Sequence, residues 1–415
     1  MRKINKSLLI TLGGTAIAAV VPIVFTPIIA KLYSSSSYGE YAYFLATSNV
    51  ICVFFAGKYD MAILIPRDEK EANNVFSLSV LLSGISLIIL YIFIVLTQNF
   101  NSIWKAEISD NIFLLPIATF FSVLNQIILT WKVRLGEFTK ISINKIANSL
   151  SYAFLAIILV KIGFEKTGLI FSLILSMAFT TFLVGFTKIK EVFFSTGSLK
   201  DIILASKKYI NFPKYNIPSS FIETLSLQLP IYLITYLYDI GILGQYAMAQ
   251  RLILLPVTFV ISSIVPVFRH SAAKEIHETG RCIKSFNSYF VGLTICACII
   301  FPILYLLISF FLEDILGAKW LLSIDLMKIL IFSVFIRFIT NPLSSVIILK
   351  EKQKLDLILQ IFLILAVGSA FFIAYLRKAN ITDCILYFVF VYILKYIIEL
   401  IIAFNLARKY ESINS

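Results

Sequence analysis

Leu32-Tyr33-Ser34-Ser35-Ser36-Ser37-Tyr38-Gly39-Glu40-Tyr41-Ala42 recurs 205 positions later as Leu237-Tyr238-Asp239-Ile240-Gly241-Ile242-Leu243-Gly244-Gln245-Tyr246-Ala247. Leu, Tyr, Gly, Tyr and Ala stand at matched positions, and each copy joins one long apolar run to the next. Working outward in windows of about 20 residues, the length that spans a bilayer as a helix, twelve runs appear. They lie at 8–30, 41–65, 73–97, 110–131, 144–163, 167–187, 216–238, 244–268, 286–311, 322–347, 355–376 and 381–406. The two copies follow the first and the seventh run. An internal repeat at that interval implies two six-helix halves running the same way through the membrane. A pseudo-twofold axis along the membrane normal would relate them. The apolar runs are continuous and lack the alternation of a membrane β-barrel. The expected fold is therefore an all-α, polytopic membrane protein of about 12 transmembrane helices in two pseudo-symmetric six-helix halves around a central cavity.

Composition supports that reading. Of 415 residues, 59% are hydrophobic and only 14% charged, with a mean hydropathy of +0.92. A soluble domain is about 45–50% apolar and about 25% charged. The composition excludes a soluble enzyme, a disordered chain and a disulfide scaffold. Met1-Arg-Lys-Ile-Asn-Lys6 and the apolar run after it resemble a signal sequence, but the run is too long and lacks a small-residue cleavage site. It reads as an uncleaved first span.

The net charge of +13 would suggest nucleic acid in a soluble protein. Here it is a topology signal. With the N-terminus inside, cytoplasmic segments carry 24 of the 36 Lys and Arg residues and the opposite side carries seven. That bias places both termini in the cytoplasm. Five cations fall within spans: Lys58, Arg251, Lys328, Arg337 and Lys395.

The halves cover residues 1–187 and 216–415, joined by a basic cytoplasmic linker at 188–215. Within the linker, Ser198-Leu-Lys-Asp201 resembles a capping box, and Ile202, Ile203, Lys207, Lys208 and Tyr209 follow at amphipathic spacing. A short helix on the membrane face and a plain basic connector both fit.

Ionisable residues inside spans are costly and point to a cavity or a partner. At about 1.5 Å per residue, Lys58 and Glu223 lie roughly 10 Å from the inner boundary and Arg251 a similar depth from the outer one. Arg337 and Lys395 lie nearer the midplane. Arg251 and Arg337 have no carboxylate three or four residues away. Lys395 and Glu399 are four apart and can satisfy each other on one helix face; Lys328 and Asp325 can pair near the outer boundary. Arginines in a cavity suit phosphate oxygens, so Arg251, Arg337, Lys58 and Lys395 are candidate contacts for an anionic solute. No phosphate-cradling GxxxxGK[ST] loop is present and no loop is long enough for an ATP-hydrolysing domain. No cofactor is implied. Energy must come from an ion gradient, the membrane potential or the substrate gradient, with Asp60, Glu223 and Glu399 as candidate proton or sodium sites. Asp60 can equally pair with Lys58.

Cys52, Cys282, Cys296, Cys298 and Cys384 are scattered and read as buried thiols. His270 and His277 share a basic loop without carboxylate or thiol partners, so no metal site is expected.

Three segments resemble one known family. Pro27-Ile-Ile-Ala-Lys-Leu-Tyr33 with Gly39 and Tyr41 is similar to the first periplasmic turn of bacterial polysaccharide (O-antigen, Wzx-type) flippases. Lys58-Tyr59-Asp60-Met-Ala-Ile-Leu-Ile-Pro66, with Glu71-Ala72, resembles their second-span signature, although the family more often has arginine at the position of Lys58. Gly244-Gln-Tyr246-Ala-Met-Ala249-Gln250-Arg251, with Leu254-Leu255-Pro256, resembles the signature that opens their second half. The resemblance implies membership of the multidrug/oligosaccharidyl-lipid/polysaccharide (MOP) exporter superfamily. It also implies movement of undecaprenyl-diphosphate-linked repeat units from the cytoplasmic to the periplasmic leaflet of the bacterial inner membrane by alternating access. Membrane lipid and other polysaccharide-assembly proteins are the implied partners, and nucleic acid is not. A multidrug/cation antiporter of the same superfamily is the alternative; it would prefer a carboxylate-lined pocket. A membrane-embedded glycan polymerase or ligase would need external catalytic loops, and the outer loops here are short and lack histidine.

Overall fold

The computed structural model describes residues 2–97, 111–195 and 198–410. Lys105, one of the seven outer cations, lies outside them, as do residues 196–197 of the linker. Among the described residues every regular element is helical. The helices are α1 (Arg2–Leu32), α2 (Ser35–Phe55), α3 (Tyr59–Ala62), α4 (Glu69–Thr97), α5 (Leu115–Arg134), α6 (Phe138–Lys161), α7 (Gly168–Ser195) and α8 (Leu199–Lys208). They continue with α9 (Ile217–Leu237), α10 (Ile240–Thr279), α11 (Ile283–Leu316), α12 (Leu321–Leu343), α13 (Ser345–Leu349), α14 (Gln353–Leu376) and α15 (Ile381–Arg408).

Each of the twelve expected spans has its helix. Among the described residues, eight helical stretches are long and apolar enough to cross a membrane, in α4, α5, α6, α7, α10, α11, α14 and α15. The remaining expected spans fall on α1, α2, α9 and α12, and residues 17–32 of α1 form a shorter apolar stretch. α12 carries Asp325, Lys328 and Arg337 within its length. Large side chains such as Leu96, Phe186, Phe310 and Phe390 are 61–71% exposed. Apolar exposure on that scale is stable against lipid and not against water.

The chain divides into two compact units, 1–231 and 232–415, with the division inside α9. Each has its own packing, and part of the pattern recurs. In the first, α2 and α4 pack on α5, and α5 and α6 pack on α7. In the second, α10 and α11 pack on α12, and α12 and α14 pack on α15. The quoted repeat has the same local form in both. Ser34 caps α2 by accepting from the Ser37 amide at 3.1 Å, and Asp239 caps α10 by accepting from the Ile242 amide at 2.8 Å. The preceding tyrosines act alike. Tyr33 donates to the Ala156 carbonyl at 2.8 Å, on the fifth spanning helix, and Tyr238 donates to the Ala379 carbonyl at 3.0 Å, just past the eleventh.

Gln245, one residue after the repeated glycine, ties α10 to the start of α12. Its Nε2 donates to the Lys319 carbonyl at 2.7 Å, while its Oε1 accepts from the Ser323 amide at 3.1 Å and the Ser323 hydroxyl at 2.6 Å. Gln245→Leu strips these partners from groups at a buried helix start and is expected to cost about 1–3 kcal/mol. Thermal unfolding of the purified protein in detergent measures this; an unchanged midpoint refutes it.

Two readings of the sequence need correction. The second span begins at Ser35 rather than residue 41 and stops at Phe55 rather than 65. The helix is broken by Gly57 and Lys58, both in the left-handed region at φ 57° and 59°, and Pro66 blocks its resumption. Cys296 and Cys298 are exposed on α11 rather than buried; Cys282 and Cys384 are buried. Hydrophobicity gives the depth of a thiol in the membrane but not whether it faces protein or lipid. At the α5–α6 turn, Lys140 and Lys132 hold Glu137 at 2.8 and 2.9 Å. Their hydrogen bonds keep its carboxyl below the usual carboxylate range. This staple is in place at neutral pH and is lost as pH falls through that lowered value.

Candidate functional site

The break in the second span builds the site. After α2 ends, the chain turns through Gly57 and Lys58 and runs into the single turn α3. Lys58 is held at φ 59°, ψ 13°, a conformation that costs a residue with a Cβ about 1–2 kcal/mol. Such strain persists where the surroundings over-determine it, often at functional positions. A Cβ on Gly57 would sit 3.1 Å from the Tyr59 ring, so this position is closed to larger residues for two reasons.

The turn carries Lys58 and Asp60 into a cavity of about 350 Å³ within the first unit. Asn49 on α2, Ser122 and Gln126 on α5, and Thr224 and Gln228 on α9 supply the rest of its polar lining. Cys52, Val53, Ala56 and Val123 form the apolar part. Ser48 and Thr119 hydroxyls meet at 3.2 Å and fix α2 against α5 one turn from the lining residues. Among the described residues, the side chains of Asn49, Gln126 and Gln228 make no hydrogen bond to protein. Three amides, two hydroxyls, one ammonium and one carboxylate are thus available to a solute. Lys58 and Asp60 share the cavity without an ion pair within 4.0 Å. A nearby cluster is different in kind. Asn144 donates to Asn125 Oδ1 at 3.1 Å and to the Thr180 carbonyl at 3.2 Å, and Asn125 donates to Thr180 Oγ1 at 3.2 Å. These buried groups satisfy one another and bind α5, α6 and α7 together.

In the second unit, Arg337 is half-buried on α12, beside a void of about 30 Å³. Tyr246, Gln250, Ser333 and Tyr392 share that void. The Tyr246 hydroxyl is buried and has no hydrogen-bond partner. Among the described residues Arg337 also has no ion pair or hydrogen bond. A space of that size holds one water or one solute oxygen. Arg251 is half-buried on α10.

Lys395 and Glu399 form an ion pair at 2.6 Å with side chains 6% and 8% exposed, which is the i, i+4 pairing the sequence allowed. Lys395 Nζ also lies 4.5 Å from the centre of the Tyr396 ring. Lys328 pairs with Asp325 at 3.4 Å near the start of α12. Glu223 is exposed on α9, outside the cavity lining. Of the three candidate coupling carboxylates, Asp60 alone lines the cavity. Among the described residues no group of three metal-ligating side chains occurs.

Charge-based reading missed Asn49, Ser122, Gln126, Thr224 and Gln228. Their signal is spacing: Ser122–Gln126 and Thr224–Gln228 are i, i+4 pairs of neutral polar residues, each marking one helix face.

Comparison with known proteins places the chain. The model of a family described as "Polysaccharide biosynthesis protein" matches residues 15–325. The chain is 22% identical over 369 residues to the teichuronic acid biosynthesis protein TuaB of Bacillus subtilis (strain 168), covering 85% of this chain and 73% of that protein. Among solved structures it is similar to the lipid II flippase MurJ in an inward closed conformation (TM-score 0.73, 14% identity, 96% and 90% of the two chains). It is also similar to an inward-facing multidrug resistance MATE transporter of the MOP superfamily (TM-score 0.70, 15% identity, 95% and 97%). A MOP superfamily transporter from Pyrococcus furiosus follows at TM-score 0.64, with 15% identity over 97% and 96% of the two chains. The chain is a multi-pass membrane protein that belongs to the polysaccharide biosynthesis protein family and has the fold of MOP-superfamily transporters.

Proposed function

We propose that this protein moves a polyprenyl-diphosphate-linked oligosaccharide, the precursor of an O-antigen or related surface polysaccharide, from the cytoplasmic to the outer leaflet of a bacterial cytoplasmic membrane by alternating access. The observation that carries the reading is the cavity around Lys58, in a chain of this family. Side-chain amides and hydroxyls match the donor and acceptor pattern of sugar hydroxyls. The Lys58 ammonium suits a phosphate or an acidic sugar. At about 350 Å³, the cavity is near the lower end of small-molecule sites and takes part of a repeat unit rather than the whole.

Lys58 in the first unit, and Arg251 and Arg337 in the second, are each proposed to meet anionic groups of the solute. Lys395 joins them only in a state where it releases Glu399. An apolar groove of about 530 Å³ along α11 and α12, lined by Phe301, Tyr305 and Phe332, suits the prenyl chain. Asp60 is the proposed proton or sodium site. It also favours a second reading, cation antiport, in which the cavity takes a cationic solute.

Reconstituted protein is expected to flip a fluorescent polyprenyl-diphosphate oligosaccharide. Arg251→Ala and Arg337→Ala should each reduce flipping at least about tenfold, the size of one lost charge-assisted contact. Normal flipping by both variants at matched protein levels overturns their role. Transport of cationic drugs without glycolipid flipping would favour the antiport reading.

A further inference from the structure

We infer that α8 and the residues after it dock on an anionic bilayer surface, and that this contact holds the Lys58–Asp60 turn in place. The inference concerns the first unit alone and stands independently of what the cavity carries.

α8 has two apolar faces. Ile202, Ala205 and Tyr209 are buried in a cluster with Ala72, Phe76 and Trp131, and so are fixed against the protein. Leu199, Ile203 and Ile210 point elsewhere and are 72%, 54% and 52% exposed. At 100° per residue Leu199 and Ile203 fall about 40° apart, a second stripe beside the buried one, and Ile210 follows in the turn after the helix. Lys200 and Lys207, both exposed, flank that stripe, and Lys214 and Tyr215 follow it, exposed as well. Against four lysines at positions 200–214 stands one acid, Asp201.

The position of the helix says what covers the stripe. Its partners on α4 lie in the first two turns of that helix, beside Arg67 and Lys70, at the charged end of an apolar span. A helix at that depth, with an apolar stripe edged by lysines, complements lipid tails and anionic headgroups together. Each lysine near such a surface is worth about fivefold in binding.

Three hydrogen bonds carry the contact inward. Tyr59, between the two charged cavity residues, donates its hydroxyl to the Ser206 carbonyl at 2.9 Å. Tyr209 donates to Glu71 at 2.9 Å, and the Lys208 ammonium pairs with the same carboxylate. α8 therefore grips both the start of α4 and the strained turn that presents Lys58.

The test is amide hydrogen exchange on the full-length protein in nanodiscs of phosphatidylcholine with or without phosphatidylglycerol. The anionic lipid is expected to slow exchange several-fold over residues 199–210 and also over 57–62. Lys200→Glu with Lys207→Glu, both at exposed positions, should remove the lipid effect in both segments. Tyr59→Phe should keep it over 199–210 and lose it over 57–62. Equal exchange of 199–210 in the two lipids, or a lipid effect that survives the double charge reversal, overturns the docking. An effect on 199–210 with none on 57–62 in the unaltered protein overturns the link to the turn.

Discussion

Glu399→Leu is expected to destabilise the protein by about 3–5 kcal/mol, the cost of leaving one buried charge without its partner. Lys395 and Glu399 meet at 2.6 Å with less than a tenth of either side chain exposed. Loss of the carboxylate strands an ammonium deep in α15, where it cannot reach a headgroup layer. Lys395→Leu combined with Glu399→Leu should recover most of the loss, because an apolar pair of similar volume replaces the ion pair at little cost. Thermal unfolding in one detergent, read for the two single variants and the double, gives the coupling energy directly. Additive single effects would refute the pairing. The same double variant divides structure from transport. If it folds and flips normally, the pair is a structural element; if it folds and fails to flip, Lys395 leaves Glu399 for the solute during the cycle.

Lys58→Gly is expected to separate stability from activity at the cavity. The turn holds Lys58 at φ 59°. Glycine removes the left-handed backbone cost while adding freedom to the unfolded chain, so stability should change by no more than about 1 kcal/mol. Transport should nevertheless fall at least about tenfold, since the ammonium facing the cavity is lost. Lys58→Val should lose both, with about 2 kcal/mol of destabilisation from a β-branched residue in that region. Flipping rates alongside unfolding midpoints for the two variants provide the check. Full transport by Lys58→Gly would remove Lys58 from the site.

The unequal legibility of the two charged groups follows from distance along the chain. Lys395 and Glu399 are neighbours on one helix face, so the pairing was available from spacing alone. Packing then decided it by burying both side chains. Lys58 and Asp60 were legible as charges in a span, but the break that aims them was not. Gly57 alone is weak evidence for a break, and the left-handed Lys58 follows from contacts such as Tyr59 to Ser206, 147 positions away. The exposed Cys296 and Cys298 make the same point, since a thiol is equally apolar facing lipid or protein.

The sequence by itself determined the twelve apolar runs, the repeat, and the charges that do not belong in lipid. Insertion into a bilayer is a sum over adjacent residues, and the repeated loop carries its own caps. Only the tertiary structure decided which polar residues form a site. Asn49, Gln126 and Gln228 come from three helices far apart in sequence, and neutral amides carry no signal until packing turns them toward one space. Where Glu223 is exposed and Asp60 buried, the difference lies in which helix face meets a neighbour, and that is fixed by non-local packing rather than by hydrophobicity.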